Sequence, residues 1–261
     1  MGGEHRGLRA AMKDALRLLY PPQCLGCGTG IGTEGALCPD CWREATFITG
    51  ACCGRCGAPL PDDGTGADLT RSDSGTGGDT MVCDDCMAIA RPWRQGRAAL
   101  VYGGTGRALV LAFKHGDRPD LAPALATFVS RAAAPLIRPG MIVVPVPVHW
   151  RRLISRKYNQ AEMLSGHVAR LRGLDHVPQA LMRHRPTPAQ DHRGVADRFD
   201  NVADAFRVAP RMAERIAGRA VLLVDDVMTS GATLGGCAEA LIAAGSGPVS
   251  VAVLARAVRN D

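Results

Sequence analysis

The chain has 261 residues, 46% of them apolar and 4% aromatic, with ten cysteines and a net charge of +6. That length can bury a substantial core, as one large domain or two unequal ones, and an Ala/Val/Leu-built interior points to an α/β protein rather than an aromatic-rich sandwich. No apolar run reaches membrane-spanning length, so no membrane span is expected. The basic side is almost all Arg, which suits an anionic ligand but does not separate nucleotide from nucleic acid.

Within residues 1–20, Leu8, Met12, Ala15, Leu16 and Leu19 recur at helical spacing, which predicts a short amphipathic helix. Lys13, Asp14 and Arg17 interrupt what would be the apolar core of a signal peptide. A cytoplasmic location is therefore expected, and in that reducing compartment disulfides are not.

Nine of the ten cysteines lie between Cys24 and Cys86, and eight of these form four CxxC pairs: Cys24/Cys27, Cys38/Cys41, Cys53/Cys56 and Cys83/Cys86. A CxxC turn sets two thiolates about one metal, and two such turns complete a tetrahedral Cys₄ zinc site. Consecutive pairing gives one ribbon from Cys24 to Cys41 and a second from Cys53 to Cys86, a double zinc ribbon over residues 21–90. Gly26, Gly28, Gly54 and Gly57 suit the knuckle turns, where positive φ is often required. Large apolar residues are scarce in this segment, so structural Zn²⁺ would supply the stability that a core cannot. Redox CxxC pairs are the rival reading. Closed Cys₄ sites lack an open coordination position and are expected to be structural or to form a docking surface. The stretch 61–80, rich in Gly, Asp, Thr and Ser, reads as a disordered insert. Cys52 and Cys237 are left as bystander thiols.

Over residues 91–261, short apolar runs alternate with helical stretches, the pattern of a parallel sheet flanked by helices. Strands are expected over 98–102, 141–146, 220–224 and 249–254. Helices are expected from Thr105, as the cap, to about Lys114, then over 121–134, 159–171 and 233–243. Asn159 is expected to cap its helix.

The stretch Val221-Leu222-Leu223-Val224-Asp225-Asp226-Val227-Met228-Thr229-Ser230-Gly231-Ala232-Thr233 is the most informative in the chain. It reads as a buried strand, two acids at its carboxyl end, a small hydroxyl-rich turn and a helix. Ligands bind where parallel strands end. Residues 229–233 would offer N–H groups and hydroxyls to a phosphate at a helix N-terminus. Asp225 and Asp226 would repel that phosphate and should face something else, such as sugar hydroxyls. An acidic pair can also hold Mg²⁺ directly or cap the helix.

This segment resembles the signature of type I phosphoribosyltransferases, which bind 5-phosphoribosyl diphosphate (PRPP). The resemblance implies that Asp225 and Asp226 bond the ribose 2′- and 3′-hydroxyls. It implies that Thr229, Ser230, Gly231, Ala232 and Thr233 cradle the 5′-phosphate, and that Mg²⁺ bridges the pyrophosphate and ribose oxygens. Pro145 to Leu153, Arg156 to Glu162, the run Leu181 to Phe206, Phe113-Lys114-His115-Gly116 and the double ribbon together resemble the ComF family. The likeness covers nearly the whole chain. Two departures are Lys157, where the family usually has Gly, and the loop Gln190 to Arg193.

Arg151, Arg152, Arg156 and Lys157 follow a buried strand, where they can grip pyrophosphate, track a nucleic-acid backbone or form a solvated basic face. Arg183, His184, Arg185, Arg193 and Arg198 fall on a long loop that either closes over PRPP or is a plain connection. No catalytic residue is identified. The resemblance implies an Mg-dependent phosphoribosyltransferase linked to nucleotide metabolism or to DNA uptake in competence. Single-stranded DNA or a DNA-uptake helicase would then be further partners. A non-catalytic PRPP or nucleotide sensor and a single-stranded-DNA-handling factor are the alternatives.

Overall fold

The computed structural model describes residues 21–61, 81–115, 118–148, 158–184 and 204–258. Its centre is a five-stranded sheet built from β1 (Gln95–Val101), β2 (Ile142–Pro145), β3 (Asp175–His176), β6 (Val221–Met228) and β7 (Val249–Arg256). The order is β1-β7-β6-β2-β3, and every pairing is parallel. A separate antiparallel hairpin joins β4 (Leu181–Arg183) to β5 (Phe206–Val208).

Parallel strands must be covered on both faces, so their sequences read as apolar runs rather than alternations. Ile142–Pro145 is buried throughout, and so is Val249–Arg256. One face packs Val143, Leu222, Val224 and Leu254 against three helices: α3 (Gly104–His115), α4 (Ala122–Ala133) and α5 (Gln160–Arg172). The other face packs Ile142, Val144, Leu223 and Val251 against α7 (Ala232–Ala243), the hairpin residues Leu181 and Phe206, and Cys53 and Cys56. Ile216 of the short α6 (Ala213–Ile216) is buried there too. Two further short helices, α1 (Pro39–Glu44) and α2 (Asp84–Ala88), belong to the cysteine-rich segment.

That segment leans on the open edge of the sheet. The Val101 amide donates to the Thr46 carbonyl (2.9 Å), the Ile48 amide to Ala99 (3.0 Å) and the Gly96 amide to Gly54 (2.9 Å). An exposed edge strand is an aggregation hazard, and here the ribbon covers it. Gly96 is required for this closeness, because a Cβ there would lie 2.3 Å from the Arg55 carbonyl oxygen.

One capping expectation holds and others are adjusted. Asn159 caps α5, its Oδ1 accepting from the Ala161 amide at 3.1 Å. Thr105 is no cap: α3 begins at Gly104, and the Thr105 hydroxyl donates to Glu44 Oε2 at 3.2 Å. Strand β6 runs four residues past Val224, so the two acids lie within it. The amphipathic helix expected in 1–20 lies outside the described residues, as does all of the insert after Pro61. Among the described residues, no helix is long and apolar enough to cross a membrane.

Candidate phosphate loop and paired cysteine centres

The eight CxxC cysteines gather into two groups of four, Cys24/Cys27/Cys38/Cys41 and Cys53/Cys56/Cys83/Cys86, with all four sulfurs of each group within 4.8 Å of one another. Tetrahedral Zn–S bonds of about 2.3 Å would set sulfurs about 3.8 Å apart. Cys27 and Cys38 are 3.7 Å apart at Sγ, and Cys56 and Cys83 are 3.6 Å apart, far beyond a disulfide bond. Sulfur also accepts backbone N–H groups, as a metal thiolate does. The Cys38 amide lies 3.2 Å from Cys24 Sγ and the Gly26 amide 3.4 Å from it.

Burial opposes ionisation of Cys24, but the amides of Cys27, Cys38 and Gly26 outweigh it and hold this thiol down at about 6. Burial and the neighbouring sulfurs push Cys41 up to about 12. Four thiols this close cannot all ionise without a cation among them, so both donor sets fit Zn²⁺. Of the four knuckle glycines, Gly28 and Gly57 have positive φ. Gly26 matters for room instead, since its Cβ would approach Cys41 Sγ to 2.9 Å. Cys52 and Cys237 join neither cluster, and burial pushes both thiols up.

The second constellation is the end of β6 and the start of α7. Gly231 sits at φ +82° as the residue before the helix, a conformation that side chains disfavour. The Ala232 amide lies 3.4 Å from Ser230 Oγ. Thr229 to Thr233 thus form a tight turn that ends at a helix N-terminus, beside the carboxyl ends of β6 and β7.

The two acids have different surroundings, as the alternation of side chains along a strand requires. Asp226 is buried and pairs with Lys114 Nζ at 3.1 Å, at the end of α3. Asp225 is half-buried, and its Oδ1 accepts from the Asp226 amide at 2.8 Å. In the sequence Lys114 stands out only as a helix end and as part of a family motif. The structure places its ammonium beside the acid pair. The Phe113 carbonyl next to it accepts from the Tyr158 hydroxyl at 2.7 Å, which ties α3 to the start of α5.

Two more residues were missed, both arginines behind the loop. Arg91 Nη1 donates to the Ser230 carbonyl at 2.6 Å, and its guanidinium lies 5.5 Å from the centre of the Trp93 ring. Arg256 is almost fully buried, and its Nη1 donates to the Thr229 carbonyl at 2.7 Å. A buried guanidinium needs a partner, and no spacing in the sequence showed that these partners would be loop carbonyls.

Arg151, Arg152, Arg156 and Lys157 lie outside the described residues, as do Arg185, Arg193 and Arg198. Arg183 ends β4 and His184 follows it, and the Arg183 guanidinium lies 5.3 Å from the centre of the Phe206 ring.

Comparison with known proteins finds a domain match over each of these stretches. The family described as Double zinc ribbon domain matches residues 15–87, and the Phosphoribosyl transferase domain matches residues 179–260. The DNA utilization protein YhgH of Salmonella typhimurium is 30% identical over 183 residues, covering 68% of this chain and 78% of that protein. The chain belongs to the ComF family. A protein of the same name from Salmonella typhi is 27% identical over 246 residues, covering 92% of this chain and 99% of its own length. Competence protein F of Haemophilus influenzae is 35% identical over 115 residues, 44% of this chain and 50% of that one. With the matched ribbon domain, the two cysteine clusters of this ComF family member support structural zinc. The parallel sheet carries a phosphoribosyltransferase domain.

Proposed function

We propose that this chain binds PRPP with Mg²⁺ at the turn between β6 and α7 and transfers its phosphoribosyl group to a nitrogen nucleophile. One observation carries the reading. A buried strand bearing Asp225 and Asp226 leads through a glycine at φ +82° into a twelve-residue helix, inside a matched phosphoribosyltransferase domain. Thr229, Ser230, Gly231, Ala232 and Thr233 would hold the 5′-phosphate with N–H groups and hydroxyls, where the helix dipole favours negative charge. Asp225 and Asp226 would bind the ribose hydroxyls. Arg151, Arg152, Arg156 and Lys157 would take the pyrophosphate or a nucleic-acid backbone. Displacement of pyrophosphate at the anomeric carbon needs mainly positioning and charge stabilisation from the protein. In this reading residues 21–90 form the ribbon module, 91–261 the catalytic domain and 1–20 a leading helix, all in the cytoplasm.

A second reading makes the chain a non-catalytic PRPP sensor or a DNA-handling factor, with single-stranded DNA or an uptake helicase as partner. The relatives named for DNA utilization and competence favour it. So does a groove of about 1050 Å³ between the first ribbon and α4, lined by Trp42, Phe128, Arg118 and Arg131 among others. Trp42 is 53% exposed, with its ring tilted 32° to that of Phe47 at 4.6 Å, and an exposed aromatic ring suits unpaired bases.

Pyrophosphate release from Mg-PRPP in the presence of a small-metabolite extract separates the two. Release that Asp225→Asn/Asp226→Asn abolishes is the expected result for a transferase. Binding of PRPP without release favours the sensor or DNA factor.

A further inference from the structure

Arg91 and Arg256 both reach the loop. Toward the loop, Arg91 donates to the Ser230 carbonyl at 2.6 Å and Arg256 to the Thr229 carbonyl at 2.7 Å. Away from it, Arg91 follows Cys86 by five residues in the chain. Arg256 Nη2 also lies 3.4 Å from Asp85 Oδ2, in the helix between Cys83 and Cys86. Both arginines are buried, at 9% and 2% exposure.

We propose that Arg91 and Arg256 are positioning residues that fasten the phosphate loop to the second cysteine centre. Zinc at Cys53, Cys56, Cys83 and Cys86 and a phosphorylated sugar at the loop then stabilise each other's binding. The inference rests on the reading that Thr229 to Thr233 bind phosphate. It adds what holds that loop in place.

Charge is the first argument. Two buried guanidinium groups need counter-charge, and a Zn²⁺ held by four thiolates carries a net charge of roughly −2. Arg256 reaches the helix that carries Cys86, beside such a centre.

Peptide geometry is the second argument. None of the described peptides is cis, so each C=O points opposite to the N–H of the next residue. Holding the Thr229 carbonyl turns the Ser230 N–H to the far side, and holding the Ser230 carbonyl does the same for the Gly231 N–H. Those are the donors a phosphate would use. The loop has little slack here, because a Cβ on Gly231 would lie 2.9 Å from Arg91 Nη1 and 3.2 Å from the Trp93 ring. Outer partners of a metal thiolate orient it and are in turn oriented by it.

Linkage makes the coupling reciprocal. The test follows zinc release from the zinc-loaded full chain to a chromogenic chelator, with and without saturating ribose 5-phosphate. That probe carries the 5′-phosphate and the diol but no chelating pyrophosphate. The first ribbon serves as internal control. The expected result is that ribose 5-phosphate slows release of one zinc equivalent by about fivefold or more and leaves the other unchanged. Arg91→Met should retain both zinc equivalents yet bind ribose 5-phosphate about tenfold more weakly, with Arg91→Lys partly restoring it. If calorimetry shows ribose 5-phosphate bound while both zinc equivalents leave at unchanged rates, the coupling is wrong and the phosphate reading stands. Unchanged affinity in Arg91→Met likewise overturns the coupling. If ribose 5-phosphate does not bind the wild-type chain, the phosphate reading fails and takes the coupling with it.

Discussion

Asp226 and Lys114 meet at 3.1 Å with side chains 10% and 21% exposed, so each is the other's compensation for lost water. Lys114→Met would leave a largely buried carboxylate facing an apolar chain. The expected cost is about 1–3 kcal/mol, the usual penalty for stranding a charged hydrogen-bonding group. A drop in the urea midpoint with unchanged slope would show it. Asp226→Asn in the same background should recover most of the loss, because the stranded charge is then gone. Near-equal stability of Lys114→Met and wild type would mean that the pair contributes little to the fold. At this scale the sequence was only half legible. The thirteen residues from Val221 to Thr233 announce a strand, an acid pair and a phosphate-suited turn through their own chemistry. Arg91 does not announce itself, because its partner Ser230 is 139 positions away and is a backbone carbonyl, which any residue type supplies.

Among the elements, β3 at the far edge of the sheet carries a pH response. His176 is half-buried there and hydrogen-bonds Ser165 Oγ of α5 at 2.8 Å. Burial lowers its ring below the ordinary 6.5, so the folded chain prefers the neutral form. His167 on the same helix is lowered in the same way by burial and by Arg170. The unfolded chain therefore binds more protons in this window, and stability rises with pH across it. The contribution is fully present above about 6.5 and is lost as pH falls through the lower folded values. Thermal unfolding between pH 7.5 and 5 should show a falling midpoint, with a shallower fall in His176→Asn. An identical pH profile for the variant would remove His176 as a cause.

Long apolar elements such as β7 and α4 were legible within a residue or two, because burial on both faces writes a continuous pattern. The hairpin β4–β5 was not, since each strand has three residues and shows no period. Thr105 misled as a cap because its hydroxyl serves a contact to Glu44 across the ribbon, a tertiary demand that local chemistry does not show.

In the molecule as a whole, the sheet is covered by α3, α4 and α5 on one face and by α7, the hairpin and the second cysteine centre on the other. The ribbon is therefore part of the covering of the sheet. It guards the edge of β1 and stands behind the turn that receives the phosphate in the proposed reading. In that reading this turn, with the acid pair beside it, is a PRPP site. Calorimetric titration of Mg-PRPP into the zinc-loaded chain tests that most directly. Saturable binding at one site is expected, abolished in Asp225→Asn/Asp226→Asn with its zinc content and secondary structure intact. Absence of binding to the wild-type chain, or equal binding to the double variant, would contradict it.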